Sequence, residues 1–244
     1  MSIQKFNDVL RKIAGMVGTL MERPLFLVAT RMQGGVVLVY HRVAPEPDPF
    51  YPPIHPILFK HHIELVKAYF SIIPLHELVS RLQNGLSLRG CCAITFDDGY
   101  GDFETYAYPV LRELNVPATH FFTSEGLRNG LPIWNYRLNR LLHYMYLSDD
   151  LKHSKRDKYL PTWTEILRIT KRFEVFSDSE RETILSQLEQ HCALPQNPPM
   201  LSPANVLRMD KRIVQWGSHT IFHTTLAGST KEKIAYELTQ SRIA

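Results

Sequence analysis

Two acidic side chains end an apolar run in Ala93-Ile94-Thr95-Phe96-Asp97-Asp98-Gly99-Tyr100. Cys92, Ala93, Ile94 and Phe96 predict a short buried strand, and adjacent side chains at a strand end point to opposite faces. One carboxylate can then ligate a metal while the other faces a water or a substrate beside it. Gly99 permits a sharp turn out of the strand. The same residues would also serve as a helix-capping turn, because Asp is a good N-cap. A second chemically able pair lies far along the chain, in Trp216-Gly217-Ser218-His219-Thr220-Ile221-Phe222-His223. It follows another apolar stretch, Ile213, Val214 and Trp216. On a helical turn, residues four apart share a face, so the spacing predicts that His219 and His223 converge. Two imidazoles and one carboxylate make a three-ligand set with an open position, the arrangement of a catalytic zinc. His-x-x-x-His alone is a weak signal; paired with Asp-Asp-Gly after an earlier strand it is much stronger.

Thr95-Phe96-Asp97-Asp98-Gly99 together with Ser218-His219-Thr220-Ile221-Phe222-His223 resembles the polysaccharide deacetylases, the NodB-homology group of carbohydrate esterases. The resemblance runs in patches from about Gly35 to the last residue. It implies Asp97 as catalytic base, with Asp98, His219 and His223 as metal ligands. It implies an α/β fold, a deformed (β/α) barrel. It also implies metal-dependent removal of N-acetyl groups from an acetylated polysaccharide or glycan. Zinc suits the ligand set best, and cobalt, iron or nickel fit similar ligands. One departure is visible: the family usually has Pro after the second His, and here that residue is Thr224. Pro117-Ala118-Thr119-His120-Phe121-Phe122 also looks like the family, except that His120 stands where an apolar residue is usual. His120 reads as a core or lining residue.

Val36 to Tyr40 reads as another buried strand, and His41 stands at its carboxyl end, where α/β folds place chemistry. Tyr40-His41-Arg42-Val43 resembles the opening of deacetylases with circularly permuted motif order, such as the poly-N-acetylglucosamine deacetylases. By that resemblance His41 is the catalytic acid; taken alone it is equally an ordinary strand-end histidine. An acid in this role should emerge at the same end of the sheet as Asp97. It should face the metal across a gap wide enough for an acetamido group. The family continues past the helix expected over Ser229 to Arg242 into further strands, so the barrel is expected to be incomplete at the C-terminus. An open barrel leaves a strand edge exposed. That favours a rival reading, a catalytically impaired sugar-binding or interaction protein. A related cyclic amidase is the other rival.

The elements that must position these residues follow from periodicity. A helix is expected over Phe59 to Phe70, a strand over Ile72 to Leu75 and a helix over His76 to Gln83. A strand over 92–96, a helix over 102–115 and a strand over 117–123 continue the alternation, which predicts a mostly parallel sheet with covering helices. Residues 128 to 212 read as a helical insertion, with helices over Trp134 to Tyr146, Thr162 to Phe173, Ser179 to His191 and Pro203 to Met209. Loops are expected over Ser148 to Pro161 and Pro195 to Pro199. Trp134, Tyr136 and Trp163 could stack on sugar rings or pack a core. The deacetylase-like domain would span 34–244, after an N-terminal helix and linker over 1–33. In that helix Ile3, Phe6, Val9, Leu10, Ile13, Met16, Val17, Leu20 and Met21 recur at the helical period. It would pack on the domain, or else meet a membrane surface or a partner.

Composition narrows the classes further. The 244 residues suit one large domain, and a net charge of +4 without a basic run interleaved with aromatics argues against nucleic acid. Cys91, Cys92 and Cys192 make no disulfide framework and no Cys-x-x-Cys, which reads as a reducing, cytoplasmic compartment. The first residues lack a signal-peptide pattern, and no apolar run reaches the roughly 18 residues of a membrane span.

Overall fold

The computed structural model describes residues 34–48, 51–147, 163–192, 194 and 198–243. The helix expected over 1–33 lies outside them, as do the loop over Ser148 to Pro161 and most of that over Pro195 to Pro199. Strand β1 (Val36–Tyr40) is followed by helix α1 (Pro56–Tyr69), β2 (Ser71–Ile72), α2 (Leu75–Gln83) and β3 (Cys91–Phe96). A π-helical turn (Phe103–Ala107) leads into α3 (Tyr108–Glu113), then β4 (Ala118–Phe122). Helices α4 (Ser124–Asn129), α5 (Trp134–Leu147), α6 (Trp163–Phe173), α7 (Asp178–Gln190) and α8 (Pro203–Arg208) precede β5 (Val214–Ser218) and α9 (Lys231–Ile243). Every strand pairing is parallel. The order is β1-β3-β4-β5, with β2 joined to the start of β3, and the sheet does not close into a full barrel among the described residues.

All six residues of β3 are buried, which explains its near-continuous apolar run. On one face Cys92, Ile94 and Phe96 meet Phe59, Ile63 and Val66 of α1 and Leu111 of α3, with Ala118 and Val214 from the neighbouring strands. Burying each of the large side chains contributes about 1.5–3 kcal/mol. On the other face Cys91 and Ala93 pack under Ile73, Leu78 and Leu88. Strand β1, expected to be buried, is only partly so: Val37 and Val39 on one face are 43% and 53% exposed, and among the described residues β1 ends the sheet order.

The alternation of strands and helices follows the sequence reading, with two differences. The strand expected over Ile72 to Leu75 is shorter and earlier. The helix expected over 102–115 is broken by the π turn, in which the Tyr108 N–H reaches back to the Phe103 carbonyl. Pro109 follows and has no N–H to bond an earlier carbonyl, so the tighter α ladder cannot run through it. Between β4 and β5, Trp134, Leu138, Leu141 and Leu185 form a small core of their own, against which Phe173 packs. Trp134 and Tyr136 are thus core residues; the Trp163 side chain lies outside the described ones. No helix among the described residues is long and apolar enough to cross a membrane.

Candidate metal centre

A parallel sheet puts the carboxyl ends of all its strands on one side, so β1, β3 and β5 deliver His41, Asp97, Asp98 and His219 to the same place. The Asp97 N–H bonds the Tyr40 carbonyl at 3.0 Å, continuing the β1–β3 ladder one residue past the strand. The chain then turns sharply. Asp98 takes φ 75° and Gly99 φ 86°, both left-handed. The two carboxylates therefore diverge through a left-handed turn, not through simple strand alternation. Gly99 also passes close to β4, since a Cβ there would come within 2.9 Å of the Phe122 Cβ.

The histidines are presented by a loop. Expected on a helical turn, they lie instead on irregular backbone after β5, with Thr220 at φ 68° and His223 at φ 57°. The His219 N–H is held by the Phe122 carbonyl. The Ser124 and Glu125 N–H groups, which open α4, donate to the Thr220 and Ile221 carbonyls at 3.2 Å each. The indole of Trp134 donates to the His223 carbonyl at 3.2 Å. Helical spacing is thus not what brings the rings together, though their centroids are 5.0 Å apart.

Asp98 Oδ1 lies 3.5 Å from Nε2 of His219 and 3.5 Å from Nε2 of His223. One ligand atom from each of the three lies within 4.8 Å of the others. Among the described residues, Asp98 Oδ1 and His223 Nδ1 are buried without a hydrogen-bond partner. Burial lowers the pKa of both histidines, that of His223 to about 4, with His219 adding to the effect, so both rings are neutral donors. Burial, then Asp97, pushes Asp98 up to about 7, against the hydrogen bond from Tyr51. An orphaned carboxylate oxygen facing two neutral imidazoles is a place built for a cation. The donor set fits a divalent metal of the zinc type.

Asp97 and His41 stand beside this cluster and outside it. His41 Nε2 lies 4.0 Å from Asp97 Oδ2, at the same end of the sheet. The imidazole lies toward Asp97, the carboxylate that attracts it. Burial lowers the His41 pKa, Asp97 opposes and His219 adds to the lowering. His120 is a core residue: its ring is fully buried, stacked on Trp216 at 5.8 Å and edge-on to Phe103 at 4.4 Å. Among the described residues neither of its nitrogens makes a hydrogen bond of ordinary geometry. Burial pushes it down to about 3, the main chain of Asp97 acting in the opposite direction.

Two contributors carry no local signal in the sequence. The Tyr51 hydroxyl lies 3.4 Å from Asp98 Oδ2, and its ring meets that of His41 edge-on at 5.5 Å. It comes from the loop after β1, where no periodicity marks it. Glu237 on α9 reads as one polar position of an amphipathic helix, yet it is fully buried and bonds the histidine loop.

The sequence model of the family described as polysaccharide deacetylase matches residues 87–244. No curated protein matches the chain. Among solved structures, IcaB from Ammonifex degensii is 24% identical over 44% of this chain and 48% of that one, with a TM-score of 0.38. A de-N-acetylase from Aggregatibacter actinomycetemcomitans is 25% identical over 38% of this chain and 39% of that one, TM-score 0.33. Streptococcus pyogenes deacetylase PplD in complex with acetate is 14% identical over 85% of this chain and 65% of that one, TM-score 0.46. The chain spans half or less of the length of the first two. The family match takes in Asp97, Asp98, His219 and His223, and over that span this chain belongs to the polysaccharide deacetylase family.

Proposed function

We propose that this chain is a metal-dependent hydrolase that removes N-acetyl groups from an acetylated glycan. The observation that carries the reading is the convergence of Asp98, His219 and His223, with Asp97 and His41 beside them at one end of the sheet. Asp98, His219 and His223 would hold the metal, most suitably zinc. When bound there, the metal supplies Lewis acidity toward the acetyl carbonyl. Asp97 takes a proton from the attacking water at a carboxylate oxygen. His41 gives a proton to the departing sugar nitrogen; the Asp97 carboxylate beside it favours the protonated imidazole that this requires, against the burial that lowers its pKa. The sum is one amide and one water converted to acetate and an amine. The three cysteines, all free, support a reducing, cytoplasmic setting as part of the same proposal.

Acetate release from a panel of N-acetylated glycans, with and without a chelator, tests the reading. Release that the chelator abolishes and zinc restores is the expected result. Stoichiometric zinc uptake with no acetate from any glycan would replace the hydrolase with a sugar-binding protein.

A further inference from the structure

Glu237 is fully buried on α9, in the wall behind the histidine loop. Its Oε2 accepts from the Ile221 N–H at 2.7 Å, and its Oε1 accepts from the Thr224 hydroxyl at 2.9 Å. Lys233, one turn earlier, brings Nζ within 2.9 Å of Oε1. Ile221 and Thr224 each follow a left-handed residue, Thr220 and His223. Non-glycine residues keep that conformation only where their surroundings over-determine it. The carbonyls of the loop are held by Ser124, Glu125 and Trp134, as described above. Holding the Ile221 N–H falls to Glu237.

A carboxylate in this position is not explained by packing. Burying one costs free energy unless it is fully bonded, and an apolar side chain would fill the same volume. Thr224 supplies an independent observation. The Thr224 N–H donates to Thr220 Oγ1 at 3.0 Å, and its hydroxyl reaches Glu237.

We propose that Glu237 is a positioning residue of the metal centre, holding the loop through Ile221 and Thr224 so that His219 and His223 face Asp98. The proposal rests on the metal-centre reading above. Its test uses the full chain and the variants Glu237→Gln, which keeps one acceptor oxygen, and Glu237→Leu, which keeps none. Three quantities are measured well below the melting temperature: zinc affinity by chelator competition, the absorption bands of bound cobalt(II), and exchange of the Ile221 amide in metal-free protein. Glu237→Leu is expected to weaken zinc by roughly 10–100-fold, shift the cobalt bands and speed Ile221 exchange, with Glu237→Gln between it and the wild type. Leu111→Ala, a core change on α3, should lower the melting temperature and leave zinc affinity and the cobalt bands unchanged. A folded Glu237→Leu protein with wild-type affinity and spectrum overturns the proposal, and so does an equal loss of affinity in Leu111→Ala. Should Glu237→Leu not fold, Glu237→Gln decides: unchanged affinity and unchanged Ile221 exchange overturn it. Wild-type protein that takes up neither zinc nor cobalt would overturn the metal centre itself, before any variant is made.

Discussion

Asp98 is nearly sealed from solvent, whereas the adjacent Asp97 side chain keeps 20% of its surface open to solvent, beside the partly exposed His41. Neighbours in sequence therefore suit different tasks. Asp98→Asn should abolish zinc uptake, measured by competition. Asp97→Asn should keep zinc and lose turnover by roughly 10²-fold or more; loss of metal with retained rate would exchange the two roles. His41→Ala should likewise keep the metal and strongly reduce acetate release, and unchanged turnover would leave His41 as an ordinary strand-end residue. His120 makes a prediction about pH. Its native pKa of about 3 lies below the ordinary 6.5, so as pH falls the unfolded chain takes up the proton first. This part of the stability is whole above pH 6.5 and is lost as pH falls toward 3, with about 2 kcal/mol gone at pH 5. Urea unfolding at pH 7 and pH 5 should show a smaller drop for His120→Phe than for wild type. Equal drops would assign the dependence to other groups.

At the scale of elements, the turn after β3 carries the site, and Gly99 carries the turn. Gly99→Ala would place a methyl against Phe122 at a left-handed φ. It should lower stability by roughly 1–3 kcal/mol, read from the melting temperature. A stability within error of wild type would mean that the β3 and β4 ends can move apart. The strands were legible as short apolar runs and most helices by apolar residues recurring at a period of 3.6. Asp97, Asp98, His219, His223 and His41 were legible because they follow such strands. The conformation of the histidine loop was not. His-x-x-x-His spacing suggests a helical turn, but bonds from α4, Trp134 and Glu237 select left-handed backbone instead. The π turn was hidden for a similar reason, since apolar periodicity does not register one missing N–H. Tyr51 and Glu237 act through contacts between residues far apart in sequence, and no local pattern encodes such a contact.

On the scale of the whole molecule, the site ties the end of β3 to the loop beyond β5, with β4 between them in the sheet. A metal bound there braces the sheet. Zinc at a hundred times its dissociation constant should add about 2.7 kcal/mol, and a chelator should remove it, which a pair of melting curves would show. The same geometry has a consequence for how the chain folds. Asp98 leaves the ribosome long before His219, with helices α4 to α8 between them. The β4–β5 pairing that brings the two halves together is parallel and distant in sequence, the kind of contact that forms slowly. Capture of the proposed metal would then be a late event. A contact absent from the folding transition state changes the escape rate and not the entry rate. If the proposed metal binds, zinc should therefore slow unfolding and leave refolding unaltered, the behaviour of a latch that closes after the fold has formed.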